Sequence, residues 1–121
     1  MLNQVVGVGR LVEDPTVETT ETGKQMTRVP IAVQRSYKNA EGEYETDFFD
    51  VVLWNGIATN TSEYCHKGDL IGVRGRLESN SYETENGEKK KSTYIVADKI
   101  SFLASKRSKE NEDEKSDDMD M

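Results

Sequence analysis

Apolar and polar residues alternate with period two along much of the chain, and one short stretch departs from that rhythm. The clearest alternation is Thr46-Asp47-Phe48-Phe49-Asp50-Val51-Val52-Leu53-Trp54, rich in β-branched and aromatic residues and free of Gly and Pro. Successive side chains of a strand point to opposite faces. Phe49, Val51 and Leu53 therefore predict a core face, while Phe48, Asp50, Val52 and Trp54 face the other way. Two large rings beside a carboxylate are an odd choice for plain solvent contact. Either another sheet or subunit covers that face, or the rings are platforms for a flat ligand.

The other elements arrange themselves around this one. Residues 4–12 predict a first strand whose Gly7 and Gly9 mark a bulge, a bend or a close backbone approach. Gly7-Val8-Gly9 is a fragment of a dinucleotide fingerprint, but no third glycine follows and no helix is signalled, which excludes that reading. Asp14-Pro15 is a turn, and residues 19–24 form a polar loop with Gly23. Residues 27–37 predict a second strand with Val29, Ile31 and Val33 on its apolar face. Pro30 within it requires an edge or a bulge, because it has no amide to donate. Residues 38–45 form a hairpin leading into the central strand. After Trp54 the spacing turns helical: Ile57, Ala58, Thr61, Tyr64 and Cys65 predict a short helix over residues 56–66. His66 and Lys67 suit its negative end, and Gly68 is placed to stop it. Residues 69–82 predict a long strand alternating Ile71, Val73, Gly75 and Leu77 with Arg74 and Arg76. Asn86-Gly87 is a hairpin turn, and residues 92–103 are the last strand. The order is strand, strand, strand, helix, strand, strand. That predicts an all-β fold, a five-stranded Greek-key OB-fold barrel with one short helix between strands 3 and 4.

Bulk composition narrows the function classes. A chain of 121 residues fits one domain, assigned to residues 1–104, and 34% hydrophobic content makes for a lean core that favours oligomerisation. Residues 105–121 shift to Lys, Glu, Asp, Ser and Asn without an aromatic, and predict a disordered acidic tail. From Ala104 to the end, four basic against seven acidic residues give −3, which leaves −4 of the total −7 to residues 1–103. Nucleic-acid binding by such a body rests on local basic clusters and stacking rather than on overall field. The single cysteine excludes an intrachain disulfide and fits a reducing compartment. The absence of a signal-peptide pattern or a long apolar run predicts a cytoplasmic protein with no membrane partner.

The chemistry available is that of binding. Cys65 and His66 are adjacent, so on a helix they face different ways and make a poor nucleophilic pair. Ligands for zinc are too few, and neither an enzyme nor a cofactor is expected. Aromatic residues, by contrast, stand on strands or at their ends at Tyr37, Phe48, Trp54 and Tyr82. Stacking a base on such a ring contributes about 1–3 kcal/mol and tolerates any sequence, since every base has a π-face. Arg10, Arg35, Lys38, Lys67, Arg74 and Arg76 are the candidates for phosphate contacts. Tyr37 is in phase with Val29, Ile31 and Val33, so its exposure requires a bulge or a strand that has already left the core.

Several linked blocks carry a family resemblance. Residues 2–11 with Asp14-Pro15 resemble the opening of bacterial-type single-stranded DNA-binding proteins. Thr46-Asp47-Phe48, Val51-Val52-Leu53-Trp54, Ser62-Glu63-Tyr64-Cys65-His66-Lys67-Gly68, Arg74-Gly75-Arg76-Leu77 and Tyr82 continue the match in order, to about Leu103. The resemblance implies a homotetrameric OB-fold that wraps single-stranded DNA during replication, recombination and repair, with stacking sites at Tyr37, Phe48, Trp54 and Tyr82. It also implies docking of replication and repair proteins on an acidic end, here Asp117, Asp118, Met119, Asp120 and Met121. The chain departs from the family at three places. Glu78-Ser79-Asn80-Ser81 stands where basic residues are common, Asp50 stands between the two rings, and Met119-Asp120-Met121 replaces an Ile-Pro-Phe tip. Two other classes compete with this reading: a protein-binding OB-fold adaptor whose aromatic face is a subunit interface, and a small nuclease on the same barrel.

Overall fold

The computed structural model describes residues 1–105, and the expected acidic end at residues 117–121 lies outside the described residues. The chain runs β1 (Val5–Leu11), β2 (Glu18–Thr19), β3 (Gln25–Lys38), β4 (Tyr44–Trp54), α1 (Asn55–Tyr64), β5 (Leu70–Glu83) and β6 (Lys89–Ala104). Five long strands and one helix follow the expected order, with α1 between the third and fourth of them. The two-residue β2, paired with the start of β3, was not foreseen.

The sheet order is β1-β5-β6-β4-β3-β2, and a second contact of β1 with β3 closes it into the OB-fold barrel. All pairings are antiparallel except the short one between β4 and β6, where Val51 faces Ile95 and Val52 faces Val96. Closure needs glycine at Gly9: a Cβ there would stand 2.8 Å from the Ala32 carbonyl oxygen and 3.0 Å from Val33 Cγ2. Gly75 is required for the same reason, since a Cβ would run into the Val96 carbonyl. It sits where the β5–β6 register slips between Arg74 and Gly75, a bulge that bends the pair.

Val29 and Ile31 of β3, Val51 and Leu53 of β4, and Ile71 and Val73 of β5 are buried in one core. Each such side chain stabilises the fold by about 1.5–3 kcal/mol. Ala58 of α1 and Cys65 just beyond it join the same core. Pro30 fits because its carbonyl accepts the Val12 N–H at 3.1 Å, so its donorless nitrogen faces that same side, where the β1 pairing ends.

Three expectations need correction. The helix stops at Tyr64 rather than at residue 66: Cys65 is extended, its side chain drawn into the core while its N–H still bonds the Thr61 carbonyl. His66 and Lys67 consequently lie beyond the last turn, and Gly68 (φ +90°) serves a later turn whose N–H reaches Leu11. Phe49 and Leu77, on the core parity, are exposed because they stand at an apolar recess at one end of the barrel, with Val5, Val33 and Ile95. Val52, on the outer parity, is buried.

Candidate nucleic-acid interface

All four rings singled out by the sequence reach solvent, but from three different places. Phe48 is 66% exposed and Trp54 37% exposed, both on the outer face of β4. They are six residue steps apart on the strand, which sets the rings about 20 Å apart along the barrel wall. Tyr37, 63% exposed, stands at the end of β3. Between Gln34 and Lys38 the β3–β4 register shifts, and the pair runs on past the core into a hairpin. Tyr82, 51% exposed, is near the tip of a second hairpin, formed by β5 and β6 beyond the last residue that pairs with β1.

Both arms are built by local chemistry. Asn39 Oδ1 accepts the N–H groups of Glu41 and Glu43, and Gly42 supplies a φ of +81° for the turn. At the other tip, Gly87 has a φ of +80° and its N–H bonds the Thr84 carbonyl at 2.9 Å. Asn3 ties the base of that arm to the barrel, donating to the Leu77 carbonyl and accepting the Leu77 N–H.

The candidate phosphate contacts divide sharply by whether a carboxylate already holds them. Arg35 donates to both oxygens of Asp47 at 2.9 Å and to Glu45 at 2.6 Å. The Asp47 hydrogen bond, more than any other neighbour, pushes the Arg35 guanidinium above its usual range, and the same bond holds the Asp47 carboxyl below its own. Arg74 is paired with Asp98 at 2.8 Å, and Arg76 with Glu78 at 2.7 Å. Arg10, two strands away from Phe48 through Ala32, donates to the Gly68 carbonyl at 2.9 Å. It lines an open groove with Val8, Ala32, Gln34, Thr46 and Leu70. Lys38 lies 5.7 Å from the Tyr44 ring, next to Tyr37. Lys67 is exposed, and its backbone N–H bonds Asp14.

Two groups of residues escaped the sequence reading. Lys89, Lys90 and Lys91 lie opposite Glu83, Tyr82 and Ser81, so Lys90 shares a face with the Tyr82 ring. Among the described residues none of the three has a carboxylate within ion-pair distance. The signal was present: the Asn86-Gly87 turn sets the register that brings the lysine run back alongside Tyr82. Arg28 and Tyr94 form the second group. The Arg28 guanidinium lies 5.3 Å from the Tyr94 ring centroid and pairs with Asp50. No pattern in the sequence showed that side chain crossing from β3 over β4 to β6.

Cys65 and His66 do not converge: the thiol is buried, which pushes its pKa up, while the imidazole is largely exposed. Among the described residues no helix is long and apolar enough to cross a membrane.

Comparison with known proteins agrees with this geometry. Residues 2–103 match the model of the single-strand binding protein family. The chain is 46% identical over 103 residues to single-stranded DNA-binding protein B of Bacillus subtilis (strain 168), covering 85% of this chain and 91% of that protein. It is 40% identical over 112 residues to single-stranded DNA-binding protein 1 of Staphylococcus aureus (strain MSSA476), covering 93% and 72%. A second protein of that strain, single-stranded DNA-binding protein 2, is 42% identical over 111 residues, covering 92% and 66%. With a barrel of the expected order and a family match over nearly all the described residues, this chain belongs to the single-strand binding protein family.

Proposed function

We propose that this protein binds single-stranded DNA without sequence preference and protects it during replication, recombination and repair. The observation that carries the reading is the exposure of Phe48 and Trp54 together on the outer wall of the barrel, where two bases of one strand can stack. Tyr37 and Tyr82 extend the surface along the two arms, and Lys38, Lys67, Lys89, Lys90 and Lys91 supply positive charge free of ion pairs among the described residues. No step of this function requires catalysis or a cofactor.

Self-association into a homotetramer is part of the proposal. Val6 and Val8 are exposed on β1, whose residues 5–9 pair on one side only, with β5. Phe102 and Leu103 add apolar surface at the end of β6. Docking of replication and repair proteins on residues 117–121 is supported by the acidic, Met-tipped composition of that end, and a cytoplasmic location by the single unpaired cysteine.

The test is fluorescence anisotropy of labelled oligo-dT against the full chain at low salt, with duplex and RNA of equal length as comparators, alongside the mass in solution. Tight binding of oligo-dT, weak binding of duplex and a mass four times that of the chain are expected. An assembly of that mass that leaves oligo-dT free would support the protein-binding adaptor instead.

A further inference from the structure

Between the two rings of β4, an arginine, a carboxylate and a third aromatic ring meet on the barrel wall. Arg28 Nη2 donates to Asp50 Oδ2 at 2.9 Å and Nε donates to the same oxygen at 3.3 Å. Nη2 also reaches Ser92 Oγ at 3.3 Å, and the guanidinium faces the Tyr94 ring. Arg28 is opposite Val52 and Asp50 opposite Pro30, so the pair bridges two rows of one face of the β3–β4 ladder, with the Val29–Val51 row between them. Val52, directly across from Arg28 on that outward face, is buried. Both charged side chains remain open to solvent, 43% exposed for Arg28 and 44% for Asp50.

A strand of DNA joining Phe48 to Trp54 has to pass over this pair. Its phosphates meet a guanidinium whose charge is already neutralised, and a carboxylate that repels them. We infer that Asp50 is a built-in counter-anion, an affinity-setting residue that withholds Arg28 from the phosphate backbone and keeps the contact across the barrel wall weak and dependent on stacking. This rests on the DNA-binding reading above and adds to it a residue that acts against binding. The consequence is a strand held on this part of the barrel by its bases rather than by its phosphates.

The experiment compares wild type, Asp50→Asn and the double variant Asp50→Asn with Arg28→Gln in oligo-dT titrations from 50 mM to 1 M salt. Asparagine keeps the shape of the side chain but removes its charge. Releasing Arg28 lets it neutralise one more phosphate, which steepens the salt slope by about 0.7; from parity at 1 M this amounts to about eightfold tighter binding at 50 mM. The double variant should return to the wild-type slope. An Asp50→Asn protein with unchanged affinity and slope overturns the inference, and so does a double variant that keeps the gain, since the gain then comes without Arg28. Asp50→Ser, read in the same way, covers a failure of the asparagine variant to fold. A wild type that ignores oligo-dT would instead sink the DNA-binding reading itself, a result these variants do not mimic.

Discussion

The barrel wall and the β5–β6 arm both carry a solvent-exposed ring, but the cations beside it are held differently. On the wall, Phe48 and Trp54 flank a guanidinium neutralised by Asp50. On the arm, Tyr82 faces Lys90, with Lys89 and Lys91 on either side and free of ion pairs among the described residues. The reason lies in the neighbours each strand has. The β3 and β4 strands of the wall lie between other strands, and cross-strand carboxylates come within reach of the arginines. The arm is a two-stranded ribbon, where a lysine has fewer partners to find. Under the proposed function this divides the work, with most stacking on the barrel and most of the unpaired positive charge on the arm.

Loss of stacking on the wall should have the largest effect. Phe48→Ala and Trp54→Ala should each weaken oligo-dT binding by about 1–3 kcal/mol, with the salt slope unchanged, as read by anisotropy. A fall in slope would mean that the rings and the charges are not separate. Replacing Lys89, Lys90 and Lys91 by Gln should do the reverse. It should flatten the slope by about 0.7 for each phosphate no longer neutralised, while leaving binding near 1 M salt almost unaltered. An unchanged slope would show that the arm carries no electrostatic share.

The least effect on DNA binding is expected at Arg35, whose guanidinium is held by Asp47 and Glu45. Arg35→Gln should leave the salt slope of DNA binding where it is. It should, however, alter acid stability. Asp47 has a lowered pKa in the folded protein, owing first to the hydrogen bond from Arg35, so its contribution is present above the ordinary carboxylate range and is lost as pH falls through the lowered value. Removing Arg35 takes that contribution away. Thermal melting of wild type and variant should then differ at neutral pH and converge in acid, as the pH falls through the lowered Asp47 value. Curves equally spaced at both pH values would contradict the assignment.

How far the sequence could be read depended on the range of the interaction. Strand order, the helix between β4 and β5, and the Asn86-Gly87 turn all follow from residues a few positions apart, and all are found. Alternation located Val51 and Leu53 correctly, and failed at Phe49 and Val52 because parity tells which way a side chain points, not what lies over it. Phe49 lines an apolar recess that reaches solvent, while Val52 points outward and is buried across the ladder from Arg28. The state of the arginines was illegible for the same reason. Arg28 with Asp50, Arg35 with Asp47, and Arg74 with Asp98 are partners 12 to 24 residues apart, joined only through the strand register. Without that register Arg35 and Arg74 stand as candidates for phosphate, and Arg28 is not singled out at all. The lysines of β6 lie near Tyr82 through a hairpin register that the Asn-Gly turn did announce.

Trp54 is the only tryptophan of the chain, which gives the central claim a direct reporter. Its emission, followed while oligo-dT is added to the full-length protein at low salt, should fall and then level off as the wall fills with stacked bases. Emission that stays constant through a titration shown to be saturating by anisotropy would mean that DNA is held somewhere other than the barrel wall.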